Sequence, residues 1–288
     1  MNFKNLFITL ALLFIFSNAT YSQWTKGKEK GYYKLSAWYL ESDQHYTSTG
    51  GIDPNTTRGQ LNISFYGEYG LTDKLDIIAY IPFFSRAYQN EILSGTTGEL
   101  ITPSEELNGI GDIDLGVSYG FVNNGKYAIS GTLKLGLPTG NDSGGESGSL
   151  QTGDGEFNQL LQVNVGVPFK LGEIPFYSKA YLGFNNKTRN FSDELRVGLE
   201  LGLNLFNKKV WLLGRTAIVN SLYNGSLSAQ NSQGSIFANN VEYTSLGGEV
   251  VYYFTKKWGV SFNYTSAIDG RIIFASPSIS AGIFLDIK

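Results

Sequence analysis

The sequence predicts an all-β protein: an antiparallel transmembrane β-barrel of about twelve strands with both termini on the periplasmic side. Three observations carry this. First, Leu195, Val197, Leu199, Leu201, Leu203 and Leu205 occupy every second position, with Arg196, Gly198, Glu200, Gly202 and Asn204 between them. A strand points alternate side chains to opposite faces, so one face here is continuous hydrocarbon and the other charged or small. Second, this pattern recurs along the whole chain after the N-terminus, in stretches close to the length of a tilted strand that crosses a bilayer. Third, the connections between stretches alternate between short and mostly longer polar ones, the asymmetry of outer-membrane barrels.

Composition agrees. The chain has 288 residues and a formal charge of −3, with 35 Gly, 18 Tyr, 19 Phe and 7 Pro. That balance lacks the basic face a nucleic-acid partner needs. Glycine and aromatics favour close backbone approach and aromatic bands in a β protein. The mean hydropathy is slightly negative, as expected where a polar lumen offsets the lipid-facing side chains. There is no cysteine, which excludes a disulfide, a zinc–thiolate site and a lipoprotein anchor.

The N-terminus departs from the strand pattern. Lys4 precedes an apolar run, Leu6–Phe16, too short to span a membrane as a helix, and Ser17, Ala19, Thr20 and Ser22 follow. This is a signal-peptide pattern. Cleavage is expected after Ser22, with Ala19 as the alternative. Residues 1–22 are then an export signal and 23–288 the outer-membrane barrel of a Gram-negative cell.

The twelve expected strands follow in order: Gly31–Glu41, Gly59–Gly70, Leu75–Phe84, Gly109–Phe121, Tyr127–Leu137, Phe157–Val167, Pro175–Asn185, Leu195–Leu205, Val210–Asn220, Asn240–Phe254, Trp258–Ala267 and Ser276–Lys288. Leu35, Ala37, Ile63, Phe65, Ile77, Ile81, Ile279, Ile283 and Leu285 are typical of the apolar face. The short connections are turns such as Leu71–Lys74, Asn123-Asn124-Gly125, Asn207-Lys208-Lys209 and Thr255-Lys256-Lys257, carrying turn-forming residues. The long ones span Ser42–Arg58, Ser85–Asn108, Pro138–Glu156 and Ser221–Asn239. Aromatics flank four short turns: Tyr119, Phe121 and Tyr127; Phe169 and Phe176; Phe206 and Trp211; Phe254 and Trp258. Amphipathic rings favour the bilayer interface, so they read as a girdle. The last strand, with Ser280, Gly282, Leu285 and Ile287, is similar to the signal read by the barrel assembly machinery. An unpaired edge cannot persist in lipid, so the first and last strands are expected to pair.

The polar face of each strand is expected to line the lumen. It carries Lys34, Glu68, Asp76, Asp112, Asp114, Lys134, Lys179, Arg196, Glu200, Arg215 and Glu249. Hairpin geometry sets Asp114 opposite Lys134 and Glu200 opposite Arg215, pairs worth about 0.2–1 kcal/mol each. These charges fit a constriction that selects solutes, and equally a wall that fills a narrow lumen. A barrel of about twelve strands falls between the filled and the open sizes.

Gly109-Ile110-Gly111-Asp112-Ile113-Asp114-Leu115-Gly116-Val117-Ser118-Tyr119 resembles the GxGDxxLGxxY strand of the phenol meta-pathway degradation family of outer-membrane β-barrel proteins. Leu133–Gly140 is similar to its LxLPTG segment, and Gln151–Gly155 to the loop that follows. The resemblance implies an outer-membrane barrel that transports small, often apolar or aromatic compounds. Compared with the long-chain fatty-acid transporters, whose N-terminal hatch plugs the barrel, Gln23–Lys30 is too short for such a plug. A gate is then sought in Ser85–Asn108 and Pro138–Glu156.

No enzyme activity and no cofactor or metal is expected. The single histidine, His45, falls in the first outer loop, with no serine or acid placed beside it by sequence. The loop acids Asp142, Glu146, Asp154 and Glu156 fit no EF-hand spacing. The glycine-rich stretches lack the lysine of a phosphate-binding loop. The expected function is a passive channel or transporter for small, hydrophobic or aromatic solutes. The alternative is a structural or surface-interaction barrel with a plugged lumen and functional outer loops. Its expected partners are outer-membrane lipid and lipopolysaccharide, the assembly machinery and a small-molecule solute.

Overall fold

The computed structural model describes residues 25–226 and 235–288; the expected signal peptide lies outside the described residues. In chain order the strands are β1 (Gly31–Tyr46), β2 (Ile52–Gly70), β3 (Leu75–Gln89), β4 (Ile92–Leu93), β5 (Leu100–Thr102), β6 (Glu105–Gly109), β7 (Ile113–Asn123) and β8 (Ala128–Leu137). Then come β9 (Asn158–Leu171), β10 (Ile174–Lys187), β11 (Glu194–Leu205), β12 (Val210–Ser221), β13 (Glu242–Tyr253), β14 (Trp258–Arg271) and β15 (Ser278–Ile287). No helix occurs among the described residues.

β4 and β5 pair only with each other. The rest form one antiparallel sheet that closes on itself, because β15 pairs with β1 from Gly31↔Ile287 to Leu40↔Ser278. β6 and β7 both pair with β3, so they are one stave, and the barrel has twelve. The expected single strand Gly109–Phe121 is thus broken. Ile110–Asp112 leave the ladder where they meet Pro82, which has no N–H to give, and the Gly111 N–H donates to the Pro82 carbonyl at 2.8 Å. A Cβ on Gly111 would lie 2.6 Å from Pro82 Cγ, so the crossing admits no side chain.

One end of the barrel holds the five short turns, 71–74, 124–127, 172–173, 206–209 and 254–257; the other holds the longer connections. At the long-loop end β1 and β2 exceed expectation. The segment expected as a loop, Ser42–Arg58, is mostly strand, paired to Tyr46↔Ile52 across a register shift between Ser42 and Gln44. Polar side chains hid this, yet ladder hydrogen bonds use the backbone and are indifferent to side-chain polarity.

The wall is inverted relative to a water-soluble protein. Leu161 is 62% exposed, Leu182 59% and Leu201 49%, and Leu35, Ile77, Leu133, Val250 and Ile283 lie on the same outer surface. A contiguous apolar band of this kind is stable only against hydrocarbon. Glycines on the inner face serve packing. Gly198 stands opposite Tyr181 and Gly202 opposite Tyr177, and a Cβ at either would overlap the tyrosine ring. The aromatic side chain covers the bare glycine backbone across the strand pair.

Most of the expected aromatic girdle is where lipid would meet it. Tyr119, Phe121, Tyr127, Phe206, Phe254 and Trp258 are exposed beside the short turns. Trp211 is the correction: it lies in register with the buried inward Asn204 and packs against Tyr177 with ring centroids 5.7 Å apart. It faces inward because it shares the phase of Arg215 along β12.

The lumen as the candidate functional site

The inner face is built by the phase of each strand. On β11 the positions 194, 196, 198, 200, 202 and 204 point inward, and on β10 Tyr177, Lys179, Tyr181, Asn185 and Lys187 do the same. Pairing then sets heights. Glu200 stands opposite both Lys179 on β10 and Arg215 on β12.

From this register comes a charged chain. The Tyr177 hydroxyl donates to Glu200 Oε1 at 2.7 Å, and Arg215 Nε donates to Glu200 Oε2. Arg215 Nη1 donates to Glu249 Oε2 at 2.5 Å. Lys34 Nζ then reaches Glu249 Oε1 at 3.2 Å. Lys34 is on β1 and Glu249 on β13, with β14 and β15 between them in the wall. This last contact is a chord across the lumen, not a neighbour contact along the sheet.

A second group of charges lies nearer the long-loop end. Lys187 Nζ is 2.9 Å from Glu194 and 3.3 Å from Asp154, and Arg196 Nη2 is 2.6 Å from Glu194. Lys187, Glu194 and Asp154 are nearly withdrawn from solvent, which is tolerable only because each charge is paired. Asp112 accepts from the backbone N–H of Gly140 at 2.9 Å and of Asp154 at 2.8 Å, tying the β8–β9 loop to the barrel. Glu156 accepts from the N–H groups of Arg189 and Asn190 at 2.8 and 3.1 Å. These loop acids hold protein groups.

The Lys134–Asp114 pair needs a correction of register. Asp114 faces Gly136 and Lys134 faces Gly116, because the ladder shifts between Gly120 and Val122. The bulge slides the hairpin beyond the symmetric turn that the sequence suggests. The ion pair still forms, diagonally, with Lys134 Nζ 2.8 Å from Asp114 Oδ2.

Two cavities occupy the lumen. One, of about 230 Å³, is lined by Asp112, Asp114, Lys134, Asn158, Arg196 and Tyr243 among others. The second, of about 220 Å³, is lined by Tyr66, Glu68, Thr132, Gln162, Asn164 and Lys179 among others. Lys134 and Leu160 line both. The Lys134–Asp114 pair therefore stands at the partition between them. Lys34, Glu249, Arg215 and Glu200 line neither cavity.

Both mouths carry covers. At the short-turn end Thr25 is buried, its hydroxyl donating to the Asp73 carbonyl at 3.2 Å. The Lys26 N–H donates to Asp76 at 2.7 Å, and Lys26 Nζ is 3.8 Å from Glu68. Asp76 is therefore sealed under Thr25–Lys30. The segment expected to be too short for a hatch does cover this corner of the mouth. A Cβ on Gly70 would overlap the Gly27 backbone, so glycine permits that close approach. At the long-loop end Ala238 and Val241 pack with Tyr46, Ile272 and Ile273 in a buried apolar cluster, and Ile236, Phe237, Ala238 and Val241 line the first cavity. The inward cover thus comes from residues 236–241 of the β12–β13 loop, and the β8–β9 loop meets the same segment where the Ser235 hydroxyl donates to Gln151 Oε1 at 3.0 Å. The Ser85–Asn108 stretch instead carries the β4–β5 hairpin, whose Leu93, Leu100 and Ile101 are exposed.

Tyr177, Lys187 and Glu194 are not among the residues the sequence points to, although each shares the phase of one that is, Lys179 or Arg196. His45 stands in register with Asp53 near the tip of β1, and neither cavity is lined by it.

Among solved structures the chain is similar to the COG4313 outer membrane channel from Pseudomonas putida F1, at 15% identity and a TM-score of 0.59, over 94% of this chain and 100% of that one. The chain has the fold of an outer-membrane β-barrel. Looser matches include the KdgM porin, at 8% identity and TM-score 0.44 over 88% of this chain and 99% of that one. Another is the beta domain of the Bordetella autotransporter BrkA, at 15% and 0.49 over 90% and 100%. No protein-family model matches the chain, and no curated protein does.

Proposed function

We propose that the protein is an outer-membrane channel for small solutes, with the short turns and both termini on the periplasmic side and the inner-face charges acting as its selectivity lining. The observation that carries this is the pair of polar cavities inside a closed barrel, which share Lys134 and Leu160 as lining residues. Each cavity is below the roughly 300–1,000 Å³ of ordinary small-molecule pockets, so the size class is small. The resemblance of Gly109–Gly155 to the phenol meta-pathway degradation family extends the proposal to small hydrophobic or aromatic compounds. The lining adds that such a solute needs a polar handle, because the cavities offer Asn, Gln, Thr, Lys and Asp side chains. In this reading lipopolysaccharide surrounds the long-loop end, and the last strand is the signal for the assembly machinery.

The test is single-channel conductance of the refolded mature protein in a planar bilayer, repeated with Glu200→Gln and Arg215→Gln. A native conductance whose size or ion selectivity changes in these variants supports the reading. Absence of conductance from a folded, heat-modifiable barrel overturns it. The covers at both mouths favour a second reading, a filled scaffold whose outer loops act. In that case loop deletions abolish function while Arg196→Ala leaves it intact.

A further inference from the structure

The charges of the two barrel ends are not alike. Lys74 and Lys126 sit in two of the five short turns, and the pairs Lys208-Lys209 and Lys256-Lys257 in two more. All six are exposed, and among the described residues none is in an ion pair. Lys170 is exposed on the strand leading to the fifth turn. The exposed acids at this end are few: Glu29, Asp73 and Glu173. The opposite end exposes Asp43, Asp53, Glu91, Glu99, Asp142 and Glu146. A chain of net charge −3 therefore presents a cationic ring at one end.

The ring has a fixed depth. Tyr127, Phe206, Phe254 and Trp258 are exposed within or directly beside three of the same turns. Amphipathic aromatics settle at the boundary between hydrocarbon and headgroups. Lys126, Lys208, Lys209, Lys256 and Lys257, one to three residues from these rings, lie at headgroup depth, and their stems are long enough to extend toward phosphate while the methylenes lie along the rings. A soluble macromolecular partner would need to reach this plane through the lipid headgroups. The lipid is already there.

We propose that the short-turn end is a binding ring for anionic phospholipid headgroups, each lysine holding a lipid phosphate. On the orientation proposed above this is the periplasmic leaflet. The ring would fix the vertical position of the barrel and retain a shell of anionic lipid around one mouth.

The experiment uses the refolded mature protein in phosphatidylcholine vesicles, with spin-labelled phosphatidylglycerol and spin-labelled phosphatidylcholine competing for its surface. The native barrel should favour phosphatidylglycerol about fivefold at a lysine-contacted site, the equivalent of the roughly 1 kcal/mol that a lysine contributes at an anionic surface. The ratio should fall to near one in K74Q/K126Q/K208Q/K209Q/K256Q/K257Q, checked as folded by heat modifiability. It should also fall for the native protein in about 1 M salt, where the screening length is about 3 Å. That second arm holds even where the sixfold variant fails to fold. E91Q/E99Q, at the opposite end, should leave the ratio unchanged. An equal preference in the sixfold variant, or no native preference, overturns the proposal. Loss of the preference to inorganic phosphate at matched ionic strength assigns the ring to a soluble anion and overturns it too. None of these outcomes depends on conductance, so failure of the channel reading remains separate.

Discussion

Two sets of ion pairs face the same lumen and differ in what holds them. Arg215 is bound on both sides, by Glu200 and by Glu249, and Lys34 closes the chain from across the barrel. Lys134 has one acidic partner, Asp114, and stands where two cavities meet. The same chemistry therefore braces the wall in one region and partitions free space in the other. What separates them is the number of partners per charge: a charge with two partners cannot leave without stranding a second, whereas a charge with one can swing away as a pair opens.

The comparison breaks first at Arg215. Arg215→Ala takes the guanidinium from Glu200 and leaves Glu249 with Lys34 alone, and a loss of about 3 kcal/mol is expected, the lower end for a broken buried pair because the guanidinium is partly exposed. Urea unfolding of the reconstituted barrel measures it. Lys34→Met/Glu200→Gln/Arg215→Met/Glu249→Gln should recover most of that loss, and failure to do so would mean that the chain is not a self-contained charge set. Next comes Lys134→Met. Stability should change by less than about 1 kcal/mol, as for a half-exposed pair, while conductance rises and ion selectivity shifts toward cations because Asp114 is left bare. An unchanged current would show that the partition is no barrier.

The same comparison can be sharpened by coupling. A double-mutant cycle on Glu200 and Arg215 should give a larger interaction energy than the one on Asp114 and Lys134, for which about 0.5 kcal/mol is expected. Equal couplings would erase the distinction. The smallest effect is at the cover. Val241→Ala trims the apolar cluster of the β12–β13 loop and should cost about 1 kcal/mol, with longer or more frequent open states in single-channel records.

The barrel was readable from sequence because a two-residue period survives any detail of pairing. Leu195 to Leu205 shows it plainly, and the Glu200–Arg215 register follows from a compact turn over Phe206–Lys209. The Asp114–Lys134 register was not readable, since the bulge between Gly120 and Val122 leaves no mark in composition. The break at Ile110–Asp112 had a local sign, Pro82, but the sign lies on the neighbouring strand, and only the pairing brings the two together. The β12–β13 cover was hidden because Ile236, Ala238 and Val241 are a few apolar residues in an otherwise polar loop. Their burial depends on Tyr46 and Ile272, which sequence order places far away.

The seam between β1 and β15 has a consequence for how the molecule comes into being. β15, which completes the cylinder, stands after every other strand in chain order and pairs with β1, which stands before them all. A chain that lacks β15 therefore cannot hold the finished shape. A product ending before Ser278 would present two raw sheet edges, the state most prone to stray pairing and aggregation. Quality control in the cell would need no sensor more specific than one for an unpaired edge to tell a complete molecule from an incomplete one.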